Sequence, residues 1–147
     1  DSAVNYIRDA VMSVSNDLET WTDVLEIGDG VEYIPSNDYD GDSGIALTIK
    51  FDSEEKCKDF ADKTGAMIPG YCGRHVYNDW KPILEKKGAF HPLMNPFNFE
   101  VNKNVEYSED MCEKSLAILK KCAHISIDCD WTEAQIKELA GKIKSAL

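Results

Sequence analysis

Four side chains able to do chemistry fall within seven positions of the chain: the guanidinium of Arg74, the imidazole of His75, the phenol of Tyr77 and the indole of Trp80. Such a set can hold a polar, ring-shaped or anionic ligand by hydrogen bonds, stacking and charge. A structural role accounts for the same residues, because Tyr77 and Trp80, three positions apart, can pin the segment to the body of the domain. His75 and His91 both lie in a stretch interrupted by prolines, where binding surfaces tend to be found. His124 opens an expected strand and reads as structural.

Other constellations fall short of a reaction centre. Asp38, Asp40 and Asp42 alternate as the first ligands of a calcium loop do, but Ser43 stands where that loop needs glycine and Ile49 where it needs a bidentate glutamate. An Asp-rich turn explains the run. The three histidines lack metal-ligand spacing, and no phosphate-cradling glycine loop is present. A cysteine nucleophile needs a partner base, and the sequence pairs none; a hydrolase built on His75, Asp79 and a cysteine is the weakest of the options. No catalytic residue and no metal ligand is therefore expected.

The chain has 147 residues, 43% of them hydrophobic and 29% charged, with a formal net charge of −11. That length fits one domain over residues 1–147 with a real core. The acidity and the presence of only Arg8 and Arg74 argue against a nucleic-acid partner, which needs a basic face. No apolar run reaches the roughly 20 residues that span a bilayer, so no membrane partner is expected. Five cysteines without a C-x-x-C pair suggest reduced, mostly buried thiols and a cytoplasmic location. The first residue, Asp1, with a helical pattern close behind it, is expected of a chain that starts partway through a parent protein.

Periodicity supplies the frame. Tyr6, Ile7, Ala10, Val11, Val14 and Leu18 recur at helical spacing, predicting an amphipathic helix that fades near 21–25, before Ile27-Gly28-Asp29-Gly30. Val31 to Pro35 reads as a short strand, 36–44 as a turn, and Ile45 to Phe51 as a half-buried strand. Asp52 and Glu55 stand at capping-box spacing before a helix to about Lys63, ended by Thr64-Gly65, and 66–69 reads as another short strand. Residues 70–107 form a long, weakly periodic loop with a short helical piece near 78–87. Ser108 is the expected cap of a helix reaching Cys122, followed by a strand over 123–127. Thr132 and Gln135 form a capping box, with Trp131 and Ile136 as hydrophobic staple, for the last helix. This order predicts an α/β (α+β) domain: a small antiparallel or mixed sheet with helices packed mainly on one face.

Three stretches taken in order resemble the C-terminal part of DegT-type (DnrJ/StrS) aminotransferases: Asp42 to Leu47, Gly73 to Trp80 and His91 to Phe97. The ending is similar too, from Met111 to Leu116 through Ile125-Ser126-Ile127 to Asp130-Trp131-Thr132-Glu133-Ala134-Gln135-Ile136. The resemblance covers nearly the whole chain but only the last third or so of such an enzyme. It implies the small C-terminal domain of fold type I, packed over the cofactor cleft of a larger N-terminal domain in a homodimer. It also implies a keto sugar or related cyclic substrate, with His75, Tyr77, Trp80 and Asn95 lining the substrate entrance. Pyridoxal phosphate is expected in the parent enzyme and no cofactor in this fragment alone, because the lysine that holds it belongs to the N-terminal domain. The alternative is a free-standing, non-catalytic binding module that uses 70–107 as its contact surface.

Overall fold

The structure, a computed structural model, describes residues 4–8, 11–15, 22–26, 31–34, 38, 41 and 43–147, with the backbone alone in the three N-terminal strands and at Tyr33. Two antiparallel three-stranded sheets are present. The first runs β1 (Val4–Arg8), β2 (Val11–Ser15) and β3 (Thr22–Glu26) in order. The second holds β4 (Glu32–Tyr33), β5 (Ala46–Lys50) and β6 (Cys122–Ser126), with β5 in the centre.

The N-terminal strands overturn the expected helix over 6–18. β2 keeps an unbroken register with β1, while against β3 the register shifts opposite Met12 and Ser13, where Val24 of β3 is the extra residue. Ile7 belongs to β1 and Val11 and Val14 to β2, so the spacing that mimics a helix runs across two short strands. Val4, Ile7, Val11, Val14 and Val24 are β-branched, which favours the pleated alternative. Ala10, Leu18, the 27–30 turn, Pro35, Asp40 and Asp42 lie outside the described residues.

The second sheet behaves as its pattern dictates. On β5, Leu47 and Ile49 are buried while Ala46, Thr48 and Lys50 are half-buried. Opposite them on β6, Ile125 pairs with Leu47 and Ala123 with Ile49, so the four share one face. Two helices cover that face, α1 (Glu54–Thr64) with Cys57 and Phe60, and α4 (Glu133–Ala146) with Ile136, Ala140 and Ile143. Phe51 and Phe60 stack at 5.1 Å between ring centroids. The first sheet also leans on α4, through β2 and β3. On the other face Thr48 Oγ1 meets His124 Nδ1 at 3.1 Å, the structural role expected of that histidine.

Helix ends follow local chemistry, with two corrections. Ser53, not Asp52, caps α1: its Oγ accepts from Lys56 N, and Asp52 instead pairs with the Lys56 ammonium at 2.7 Å. Gly65 closes α1 at φ 79°, a left-handed position that glycine takes without steric cost. α3 spans only Glu113–Leu119 and starts at Cys112 without a side-chain cap, so Ser108 does not open it. The capping box of α4 forms as expected, with Thr132 and Gln135 bonded reciprocally. In place of a strand over 66–69 there is one bridge, Met67 to His124, and then a 3₁₀ turn at Pro69–Tyr71.

Two substitutions test this packing by chemical denaturation. Phe60→Ala, at a side chain 1% exposed, should destabilise the chain by about 3–5 kcal/mol. Gly141→Ala should stabilise it by roughly 1 kcal/mol, because a Cβ there meets nothing within 4 Å and glycine costs helix propensity.

Candidate functional site

The stretch expected as a structureless loop is built. From Pro69 to Asn102 it folds as five 3₁₀ turns and one short helix, α2 (Lys81–Leu84). Its entry is fastened at Tyr71, whose hydroxyl donates to Glu54 and whose ring lies 4.7 Å from Lys58 Nζ and 5.4 Å from Lys120 Nζ. The Lys58 ammonium and then the Tyr71 hydroxyl hold the Glu54 carboxyl below the usual carboxylate range.

Three of the four expected substrate residues spend side-chain polar atoms on backbone groups of the chain. The Tyr77 hydroxyl donates to Glu109 O at 2.7 Å and accepts from Cys112 N at 3.0 Å. Trp80 Nε1 donates to Arg74 O at 2.8 Å, leaving the half-exposed ring face open to stack. Asn95 is engaged at both ends: Nδ2 donates to Lys86 O at 2.8 Å, and Oδ1 accepts from Gly88 N and Phe97 N, both at 3.2 Å. His75 is exposed, and only its backbone N–H is engaged, with Cys72 Sγ at 3.2 Å. Arg74 and His75 are the exposed polar side chains next to this turn.

Residues 91–102 repeat a four-residue unit that the sequence reading missed. Turns at Pro92–Met94, Pro96–Asn98 and Glu100–Asn102 follow one another, the first two each opened by a proline. His91 Nδ1 and Asn95 Oδ1 cap the first two, accepting from Leu93 N and Phe97 N. Asn98 Nδ2 and Asn102 Nδ2 each reach back six residues, to Pro92 O and Pro96 O, both at 2.8 Å. The recurring cap-Pro unit in His91-Pro92 and Asn95-Pro96 was the available signal. Gly88 is required where it stands, since a Cβ would lie 2.8 Å from Pro96 Cδ. Phe97 meets Tyr107 edge-on at 5.9 Å, tying the repeat to the chain beyond it.

Several large apolar side chains of the segment face solvent, alongside exposed charges such as Glu85, Lys87 and Glu100. Phe90 is fully exposed, Val101 is 84%, Leu93 79% and Met94 70% exposed. Asn78 Oδ1 and Asp79 Oδ2 are buried without a hydrogen-bond partner, each an unmet acceptor costing about 1–3 kcal/mol. No hydrogen bond joins Asp79 to His75 among the described residues, so the hydrolase arrangement is not assembled.

The cysteines divide by burial. Cys57 and Cys122 sit in the interior as expected, but Cys72 is half-buried and Cys112 and Cys129 are exposed, so the thiols are not mostly buried. Burial pushes the Cys57 thiol up to about 11 and raises that of Cys122 as well. Asp128, Cys129 and Asp130 bring three ligand-type atoms within 4.8 Å of one another, all exposed, in a turn where Asp128 Oδ1 accepts from Asp130 N. That bond is the ordinary chemistry of an Asx turn. Among the described residues no helix is long and apolar enough to cross a membrane.

Compared with known protein families the chain matches none, and no curated protein matches it.

Tyr77→Phe should cost about 1 kcal/mol and speed amide exchange at Cys112, whose N–H loses its acceptor. Labelling at neutral pH with a disulfide-exchange reagent should modify Cys112 and Cys129 quickly. Cys57 and Cys122 should react only as the fold opens. Rapid labelling of Cys57 would contradict the packing of α1.

Proposed function

We propose that this chain is the small C-terminal domain of a cytoplasmic, pyridoxal-phosphate-dependent aminotransferase of the DegT/DnrJ/StrS kind, acting on a keto sugar or related cyclic substrate. In this reading residues 69–102 face the N-terminal cofactor-binding domain and the partner subunit of a homodimer. The observation that carries it is an ordered segment whose side-chain amides bond its own backbone and which presents Phe90, Leu93, Met94 and Val101 outward. A lone domain gains nothing from exposing those side chains, whereas a domain that closes over a cleft buries them. His75, Arg74 and the face of Trp80 are then the groups left to meet a small polar substrate at the edge of the contact.

Two of the chain's lysines, Lys50 and Lys58, are poorly suited to hold the cofactor. A lysine that holds pyridoxal phosphate must reach its neutral amine readily. Lys50 and Lys58 are pushed the other way: hydrogen-bonded carboxylates, Glu32 and Glu54 respectively, raise both above the ordinary lysine range. Cofactor chemistry belongs to the parent's other domain, and this domain contributes closure, water exclusion and contacts to substrate.

The complete reading frame should therefore yield a protein with a lysine-bound cofactor absorbance and amino transfer to a keto sugar. In that protein Leu93→Glu or Val101→Glu should lower turnover at least tenfold. The same changes should leave the stability of the present chain within about 0.5 kcal/mol, as for exposed sites elsewhere. A complete frame with no cofactor domain, or unchanged turnover in both variants, would favour a free-standing binding module over residues 70–107.

A further inference from the structure

A second feature lies on a different element from the segment above. The outer side of α4 carries a groove of about 260 Å³ lined by Trp131, Gln135, Glu138, Leu139 and Lys142. Their spacing puts the helical members on one stripe. Trp131 and Leu139 are half-buried and pack against the core, forming an apolar floor, while Glu138 and Lys142 are exposed at its edge.

The two charges stand out by what they do not do. Glu138 and Lys142 are four apart with the acid N-terminal, the order that favours an ion pair along a helix. Four other pairs of that spacing and order are closed: Asp52 with Lys56 at 2.7 Å, Glu54 with Lys58 and Asp59 with Lys63 at 2.6 Å each, and Glu133 with Lys137. Glu138 and Lys142 form no ion pair with each other or with another described residue. Gln135 Oε1 is occupied by Thr132 N, so the charged groups left at the groove are one carboxylate and one ammonium, beside the amide N–H of Gln135 and the indole N–H of Trp131.

We infer that this groove binds a small apolar zwitterion, an α-amino acid with an aliphatic side chain, its ammonium on Glu138, its carboxylate on Lys142 and its side chain over Trp131 and Leu139. Four residues of helix rise, about 6 Å, separate the backbone positions of Glu138 and Lys142 along the axis. A ligand bearing opposite charges one carbon apart spans that gap through a hydrogen bond at each end. The volume admits an amino acid and falls below the roughly 300 Å³ at which drug-sized sites begin. Exposed ion pairs are individually weak, so affinity is expected on the order of millimolar and depends on both charges being present together. Neither cofactor nor a second domain enters this inference, so it stands or falls independently of the aminotransferase reading.

The test is a titration of the purified chain with L-leucine, followed by the indole N–H of Trp131 and the amides of 138–142 in nitrogen–proton correlation spectra. Isovalerate, which lacks the ammonium, and isoamylamine, which lacks the carboxylate, serve as controls at matched ionic strength. Saturable shifts with L-leucine are expected, with both controls binding at least tenfold more weakly. Glu138→Gln and Lys142→Gln should each weaken L-leucine at least fivefold while the remaining spectrum stays in place, which reports intact folding. No saturable shift with L-leucine would overturn the inference. Equal binding of either control, or affinity unchanged in both variants, would overturn it as well by reducing the groove to a non-selective apolar surface.

Discussion

Everything described here hangs on the burial of one sheet face beneath two helices. Leu47 and Ile49 on β5 stand opposite Ile125 and Ala123 on β6, and the four meet Phe60, Ile136 and Ile143 from α1 and α4. Because side chains alternate along a strand, a one-residue slip would turn this entire apolar set to solvent. The same register sets Thr48 against His124 on the opposite face. It also fixes where β6 receives Met67, and hence where residues 69–102 leave the sheet.

That segment obeys a different logic. Apolar burial contributes little to it: Val76 is buried, but most of its other apolar side chains face outward. Its order comes from side-chain amides and hydroxyls satisfying backbone groups, at Tyr77, Asn95, Asn98 and Asn102. Proline at the start of successive turns lowers the entropy that must be lost. The outcome is a shaped apolar surface that does not depend on a partner for its form. Preorganisation of this sort lowers the ordering cost when a partner arrives.

The legible parts of the sequence were those where one local signal stood unopposed. Thr132 and Gln135 announced the start of α4, Gly65 the end of α1, and the alternation from Ile45 to Phe51 the central strand. The N-terminal strands were hidden because the helix-like spacing of Ile7, Val11 and Val14 runs across two short strands instead of along one element. Residues 91–102 were hidden for another reason. A 3₁₀ turn repeated every four residues has neither helical nor strand periodicity, and its stability lies in long side-chain reaches such as Asn98 to Pro92 O. At the candidate site, sequence could not tell polar atoms spent on scaffolding from those left free. Tyr77, Trp80 and Asn95 hold the segment together, and His75 remains open.

The central claim is that residues 86–102 are ordered by their own hydrogen bonds, with Asn95 as hub. Backbone amide exchange, measured on the chain and on Asn95→Ala, tests it most directly. Protected amides at Leu93, Phe97 and Asn98 in the chain are expected, together with their loss in the variant while β5 and β6 remain protected. Exchange at unstructured rates in the unaltered chain, or protection that survives Asn95→Ala undiminished, would contradict it.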